Sequence, residues 1–210
     1  LAKKGLSLLD TEFPSIKAGP IGQVPEENVL HYPKASGIAS QSPYTKDINY
    51  SEVYPNWRAT YQMLGLYDKK GGLYIASHDP TGSVKTISTC TDEEKVSFRF
   101  NWPAPNMGLD DNGYKLPGKV VLGSIEGDWY KAALIYQAWV KEEAPWWPPA
   151  PNKRPSRIQD IAVWVQHESG GDLKTLVEEV LDFAEFMKVP IGFHWYVWHK
   201  IPFDLSLIHI

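Results

Sequence analysis

The chain has 210 residues, of which 43% are hydrophobic and 22% charged, so it carries enough apolar material for a folded core and does not have the composition of a disordered protein. Its net charge of -4 provides no basic surface for nucleic acid, and no apolar run approaches the ~20 residues of a membrane-spanning helix, so we predict neither a nucleic-acid partner nor a membrane span. The single cysteine, Cys90, excludes an internal disulfide and a cysteine-based zinc site, whereas 9 tryptophans and 11 tyrosines are typical either of an aromatic core or of a surface that stacks on sugar rings.

Short strands separated by turns dominate residues 1–126 and predict a β-sandwich domain. Residues 57–67 and 73–77 flank a glycine-containing turn, which indicates a hairpin. Residues 84–90 and 95–102 indicate a second strand pair. Several short strands joined by turns in this way favour an antiparallel arrangement.

The pattern changes to a helix and then to a stiff connector across residues 127–151. Asp128 can cap a helix, and apolar residues recur after it at helical spacing as far as Val140. Because proline cannot continue a helix, we expect the helix to end before Pro145. The Pro- and Trp-rich residues 145–151 then form an extended connector, and we place the domain boundary there.

A strand, a helix and a second strand are predicted in residues 152–204. The strands are residues 158–166 and 191–198, and between them Asp172 opens a helix that has one apolar face. A unit of this length implies two parallel strands joined by a right-handed crossover. Since parallel strands are normally covered by helices, further units are expected to follow.

The last six residues, 205–210, resemble the translation of an adapter used in DNA sequencing libraries. We expect them to be a non-native tail appended to a gene that is broken near Asp204. The alternative is a short natural tail. The open sheet edges of an isolated strand–helix–strand unit also favour a natural protein that continues past Asp204.

Four segments, taken in order and spacing, resemble a known family. They are residues 54–67, residues 71–80 together with Lys85, residues 127–139 and residues 192–198. The order is similar to that of a largely uncharacterised family of bacterial glycoside-hydrolase-like proteins, related by architecture to α-galactosidase-type and endo-α-N-acetylgalactosaminidase-type enzymes. Those proteins have an N-terminal β-sandwich, a linking helix and a (β/α)8 barrel. The resemblance therefore implies a β-sandwich followed by the first βαβ unit of a truncated (β/α)8 TIM barrel.

The same resemblance implies an oligo- or polysaccharide substrate, acid/base catalysis by two carboxylates, and an extracellular or periplasmic location. In such barrels the catalytic carboxylates lie on middle strands, which would follow Asp204. We therefore assign no catalytic residue and expect the fragment alone to be inactive. No phosphate-binding glycine loop is present, and we predict no cofactor. Two alternatives stay open, a non-catalytic carbohydrate-binding sandwich module and a sandwich that only braces the barrel.

Alternation along the two predicted barrel strands selects candidate substrate-binding residues. Trp164 and Gln166 share the inward face of the first strand, and His194, Tyr196 and Trp198 share that of the second. Trp198 is placed to stack on a sugar ring, whereas Gln166, His194 and Tyr196 are placed to hydrogen-bond hydroxyls. The alternative is that these side chains only fill the barrel. We expect no metal site among the histidines.

Asp79 is the remaining candidate, and it lies in the turn His78-Asp79-Pro80. This sequence is typical of an Asx turn, in which the Asp79 side chain accepts hydrogen bonds from local backbone N–H groups. In the competing hypothesis the loop leans over the barrel mouth and Asp79 holds a sugar hydroxyl. Lys85 would then either neutralise Asp79 or bind alongside it.

Overall fold

The computed structural model describes residues 5–92, 94–147, 155–168 and 172–196. The chain divides into two compact units, Leu1–Trp147 and Pro148–Ile210. No helix in these described ranges is long and apolar enough to cross a membrane. The predicted domain ranges, 1–126, 127–151 and 152–204, stay predictions, and the predicted tail 205–210 lies outside the described residues.

The first unit is built from antiparallel strands and one long helix. Its elements in chain order are β1 (Asp10–Ala18), a 3-10 helix (Pro25–Glu27), β2 (Val29–Tyr32), β3 (Ile38–Gln41), a 3-10 helix (Pro43–Thr45), β4 (Asn49–Tyr54), β5 (Met63–Tyr67), β6 (Gly71–His78), β7 (Lys85–Thr91), β8 (Val96–Pro103), β9 (Lys119–Glu126) and α1 (Trp129–Glu143). One sheet has four strands in the order β1-β8-β7-β4, and the other has five in the order β3-β2-β5-β6-β9. The pairings within both sheets are antiparallel.

The two sheets of the first unit pack around a shared hydrophobic core. Strand β8 contributes Phe98, Phe100 and Trp102, which are spaced two residues apart because one face of the strand is buried. Leu30 from β2 and Leu64 from β5 join the same cluster from the other sheet. Fully burying an apolar side chain of this kind contributes roughly 1.5–3 kcal/mol. The first unit is therefore consistent with the predicted β-sandwich.

The structure confirms both predicted strand pairs. β5 pairs with β6, so that Met63 lies opposite Ala76 and Tyr67 lies opposite Gly72. A side chain on Gly72 would clash with the carbonyl oxygen of Leu66, so this close approach of the two strands requires glycine. β7 pairs with β8 in the same antiparallel manner.

Helix α1 packs on the outer face of the five-stranded sheet. The Asp128 Oδ1 accepts a hydrogen bond from the Tyr130 backbone N–H at 2.9 Å, which confirms the predicted cap. One turn further on, Ala132 is buried in a cluster with Met63, and Tyr136 packs against that cluster. The helix thus covers sheet side chains that face away from the sandwich core.

His31 lies in an aromatic stack beside the start of α1. Its ring is stacked with Tyr61 at a centroid distance of 5.8 Å and with Trp129 at 6.1 Å. The His31 Nε2 shares a hydrogen bond of 2.7 Å with the Tyr61 hydroxyl, and the buried Nδ1 has no hydrogen-bond partner in the described part of the chain. Burial lowers the pKa of His31 to about 4.

We expect the first unit to lose stability as the pH falls from about 6.5 to about 4. An exposed histidine in the unfolded chain takes up its proton near pH 6.5, whereas folded His31 resists protonation until about pH 4. The unfolded state binds more protons in this window, so the free energy of unfolding decreases by roughly 3 kcal/mol at pH 4. Chemical denaturation of the wild type and of His31→Gln at pH 7 and pH 4 measures the difference. Equal losses in both proteins would contradict the expectation.

The second unit contains a short helix and a strand–helix–strand segment. Its elements are α2 (Ser156–Gln159), β10 (Val163–Glu168), α3 (Leu173–Met187) and β11 (Ile191–Tyr196). Strands β10 and β11 pair in parallel. The Asp172 Oδ2 accepts a hydrogen bond from the Thr175 backbone N–H at 3.1 Å, which confirms the predicted cap of α3. The helix ends at Met187 and is followed by Lys188, whose φ of 54° is the left-handed conformation common after a helix.

The predicted fold class is wrong for the second unit. The eleven described strands form two antiparallel sheets and one small sheet that contains only β10 and β11, and the described residues show no opening segment of a (β/α)8 barrel. A barrel requires eight tilted and staggered strands that close around an axis. The barrel was implied by the family resemblance, whereas the sequence pattern itself specifies a strand, a helix and a strand and does not specify curvature or closure. The described chain is therefore mainly β-sheet.

Candidate functional site

Three of the predicted substrate-binding residues share one face of the small parallel sheet. In its register, Trp164 lies opposite Gly192 and Gln166 lies opposite His194. Because side chains alternate along a strand, Trp164, Gln166 and His194 occupy the same face. All three are exposed, and 61% of the Trp164 side chain is accessible to solvent. We call the surface formed by these three residues the Trp164 face.

The structure describes less of the other two candidates predicted on these strands. Tyr196 lies opposite Glu168 in the register, so its backbone occupies the next position along the Trp164 face. Trp198 lies outside the described residues. The roles of all these residues in substrate binding stay predictions.

The Trp164 ring lies against Gly192, which has no side chain to displace it. A Cβ built on Gly192 would approach the indole atoms Cε3, Cδ2 and Cζ3 to within 2.6–2.8 Å, too close for any real contact. The indole therefore lies directly over the glycine backbone while its remaining surface is exposed. The sequence analysis did not identify Gly192 as the residue against which the aromatic ring lies.

The Trp164 face combines a flat apolar surface with hydrogen-bonding groups. An indole offers a flat apolar face, and the Gln166 amide both donates and accepts hydrogen bonds. The His194 imidazole adds a further polar group on the neighbouring strand. Across the part of the chain that the structure describes, no three His, Cys, Asp or Glu side chains are grouped so as to hold a metal ion.

Asp79 lies in the first unit, where its carboxylate is fully buried. Its Oδ1 accepts hydrogen bonds from the Thr81 backbone N–H at 2.9 Å and from the Thr81 hydroxyl at 2.6 Å. Its Oδ2 accepts a bond from the Ser83 backbone N–H at 2.8 Å. Burial alone would raise the pKa of Asp79, but the bonds from Thr81 and the charge of Lys85 outweigh burial and lower it. The geometry is that of the predicted Asx turn.

Lys85 is the counter-charge of Asp79 and is itself fully buried. Its Nζ lies 3.0 Å from the Asp79 Oδ2, and it also donates to the Gln62 Oε1 and the Ser83 carbonyl oxygen. Burial lowers the pKa of Lys85 to about 8, although the Asp79 carboxylate acts in the opposite direction. Of the two roles considered for Lys85, neutralising Asp79 and binding alongside it, this contact corresponds to the first.

The Asp79 carboxylate is therefore already occupied by partners within the protein. To hold a sugar hydroxyl it would have to exchange one of these hydrogen bonds, so its role in substrate binding stays a prediction. The sequence analysis missed Gln62, which is fully buried and also donates its amide to the Asp79 carbonyl oxygen at 3.1 Å. No local pattern could have revealed Gln62, because it lies 17 residues from Asp79 and 23 from Lys85.

Similar proteins provide independent information about the class of protein. Residues 114–208 match a family described as a domain of unknown function (DUF6259). The chain is 25% identical over 201 residues to “Putative glycoside hydrolase 22789” of Monosiga brevicollis, covering 85% of this chain and 16% of that protein. It is 24% identical over 156 residues to “Putative glycoside hydrolase” of Bacteroides thetaiotaomicron, covering 72% of this chain and 22% of that protein. The chain is thus similar, at low identity, to two proteins named as putative glycoside hydrolases.

These matches support the glycoside-hydrolase-like part of the expected resemblance. The chain spans less than a quarter of the length of either relative. The range that matches the domain family, residues 114–208, includes the Trp164 face, whereas Asp79 precedes it.

Proposed function

We propose that the chain contributes to a glycoside hydrolase that cleaves oligo- or polysaccharide by carboxylate acid/base catalysis, and that the Trp164 face binds the saccharide. The observation that carries the proposal is the exposed indole of Trp164, seated on Gly192 and aligned with Gln166 and His194. The similarity of the chain to proteins named as glycoside hydrolases supports the choice of a sugar as the ligand.

The chemistry of a sugar ring matches the two kinds of surface on this face. One side of a pyranose ring presents C–H groups, which pack on the flat apolar face of an indole. Its rim presents hydroxyls, each of which donates and accepts a hydrogen bond. The Gln166 amide has both functions, and an imidazole donates from one nitrogen and accepts at the other when neutral.

We assign binding rather than bond cleavage to the Trp164 face. Glycoside hydrolysis needs two carboxyl groups on either side of the scissile bond, about 5–5.5 Å apart for retention or 6.5–9.5 Å apart for inversion. The Trp164 face consists of an indole, an amide and an imidazole, and the next position along β10 on the same side carries a single acidic residue, Glu168, whereas the reaction needs two carboxyl groups. The face would therefore position the saccharide, while the reacting carboxylates belong to another part of the enzyme.

The Trp164→Ala substitution is expected to weaken saccharide binding about tenfold or more, because it removes a rigid aromatic anchor. Isothermal titration of the full chain with stachyose, maltopentaose, cellopentaose and xylopentaose measures the dissociation constant. The matched control is Trp57→Ala, since Trp57 is also an exposed tryptophan, 65% accessible, but lies in the first unit. That variant should bind as the wild type does.

A second variant, Gly192→Ala, tests the contact between Gly192 and Trp164 without removing the indole ring. In Gly192→Ala the new methyl group must push the indole of Trp164 away from the strand, so binding should weaken although the tryptophan is retained. Unchanged affinity in both Trp164→Ala and Gly192→Ala would overturn the proposed role of this face. Circular dichroism of each variant shows whether the fold is preserved.

A further inference from the structure

We infer that the saccharide site proposed for the Trp164 face continues to the carboxyl edge of the small sheet, where Glu168 and Tyr196 bind a second sugar unit. Glu168 is the last residue of β10 and Tyr196 is the last residue of β11, and the register places them opposite each other. We call these two residues the edge subsite. The inference rests on the proposed function, because it extends the same ligand, and it identifies that ligand as a chain of at least two sugar units.

The edge subsite occupies the same side of the sheet as the Trp164 face. Residues two apart in a strand lie on one face, so Glu168 shares a side of β10 with Trp164 and Gln166. In the register Gln166 lies opposite His194, and Glu168 lies opposite Tyr196. Two short rows of polar residues, one on each strand, therefore run from the indole of Trp164 toward the carboxyl ends of the strands.

The carboxyl ends of parallel strands are favoured positions for ligands. Strands β10 and β11 pair in parallel, so both end at the same edge of the sheet. In open α/β sheets, ligands bind outside the carboxyl ends of the strands. The first paired positions carry the apolar residues Val163 and Ile191, whereas the last carry Glu168 and Tyr196. The edge that this rule favours is therefore also the one with hydrogen-bonding residues.

A carboxylate and a phenol suit the hydroxyls of a sugar. An ionised carboxylate accepts hydrogen bonds at both oxygens, so one glutamate can bind two neighbouring hydroxyls of the same sugar unit. Hydrogen bonds to a charged acceptor are roughly twice as strong as those between neutral groups, so we expect Glu168 to bind a hydroxyl more strongly than the Gln166 amide does. An acidic sugar would be repelled by the like charge of Glu168. The second sugar unit is therefore neutral.

The spacing of these residues sets a minimum length for the ligand. Parallel strands rise about 3.3 Å per residue, so the backbone from Trp164 to Glu168 spans roughly 13 Å along β10. That distance exceeds the width of one pyranose ring. A sugar stacked on the Trp164 indole therefore leaves the edge subsite to a later unit of the same chain, and a monosaccharide can occupy only one of the two positions.

The test follows two backbone amides by NMR, one at each position. Gly192 lies beside the Trp164 indole, and Tyr196 belongs to the edge subsite. The full chain is titrated with stachyose, maltopentaose, cellopentaose and xylopentaose, and with the monosaccharides galactose, glucose and xylose. We expect a monosaccharide to shift the Gly192 amide alone. At least one oligosaccharide should shift both amides and bind about tenfold more tightly than its monosaccharide.

Replacing Glu168 should remove only the second contact. In Glu168→Ala the oligosaccharide should still shift the Gly192 amide but no longer the Tyr196 amide, and its dissociation constant should rise about tenfold. Glu168→Gln keeps the size of the side chain but loses its charge, so it should weaken binding by a smaller factor. The matched control is Glu185→Ala, because Glu185 is an exposed glutamate of the same unit that lies on α3 and not on either strand. That variant should respond as the wild type does.

The outcomes separate this inference from the proposed function. If no sugar shifts the Gly192 amide of the wild type, the proposed function fails and the edge subsite fails with it. If the Gly192 shift is present and is lost in Trp164→Ala, but Glu168→Ala binds every oligosaccharide as the wild type does, the Trp164 face stands and the edge subsite is overturned. An equal loss of affinity in Glu185→Ala would indicate a general charge effect and would also overturn the edge subsite.

Discussion

Replacing Asp79 with alanine is expected to lower the free energy of unfolding of the first unit by about 3–5 kcal/mol. The ammonium of Lys85 would remain fully buried without its counter-charge, and among the described residues its remaining acceptors would be the Gln62 Oε1 and the Ser83 carbonyl oxygen. The backbone N–H of Thr81 would also lose its acceptor in the turn. Urea denaturation of the full chain, followed by circular dichroism, measures the loss.

A surface ion pair supplies the control for the buried one. Lys69 and Glu27 are paired at 2.5 Å, but both side chains are exposed, so Lys69→Met should change the free energy of unfolding by less than about 1 kcal/mol. The double variant Asp79→Ala/Lys85→Met should be more stable than Asp79→Ala alone, because no unpaired charge stays in the core. If Asp79→Ala costs no more than Lys69→Met, the buried pair does not stabilise the sandwich as we infer.

Features that depend on neighbours in the chain could be predicted from the sequence. The hairpin of β5 and β6 follows from a glycine-containing turn between two apolar runs, and the helix caps at Asp128 and Asp172 follow from single side chains. The pairing of β1 with β8, which places Asp10 opposite Pro103, could not be predicted. No local pattern encodes a contact between residues so far apart, and the entropy lost in closing the loop is offset only by the assembled core.

The candidate site shows the same division between local and non-local information. Alternation along each strand placed Trp164, Gln166 and His194 on one face, and the observed register places them on the same face. The contact of Trp164 with Gly192 and the bond between Gln62 and Lys85 depend on side-chain packing, which a periodic pattern does not contain. The barrel, which the family resemblance implied, was a wrong prediction for a related reason, because the strand, helix and strand of this chain do not determine how many strands join a sheet.

Trp102→Ala is expected to lower the free energy of unfolding by about 4 kcal/mol or more, since it leaves a large cavity in the core of the sandwich. Trp102 is fully buried, and its Nε1 donates a hydrogen bond of 2.8 Å to the Phe13 carbonyl oxygen. The Lys85 Nζ lies 4.6 Å from the centre of the Trp102 ring and 4.5 Å from the centre of the Tyr54 ring. The substitution therefore removes apolar contacts, a hydrogen-bond donor and part of the aromatic enclosure of a buried charge.

Trp102→Phe separates these contributions. Phenylalanine keeps an aromatic ring beside the Lys85 ammonium but cannot donate to the Phe13 carbonyl oxygen, so we expect a loss of about 1–3 kcal/mol, smaller than for alanine. Trp57→Ala, which removes an exposed tryptophan, should change the free energy of unfolding by less than about 1 kcal/mol. Urea denaturation of the three variants gives the order of their free energies of unfolding. If Trp102→Phe is as damaging as Trp102→Ala, the hydrogen bond to Phe13 dominates, and the ring stabilises neither the core nor the Lys85 ammonium to the extent that its contacts indicate.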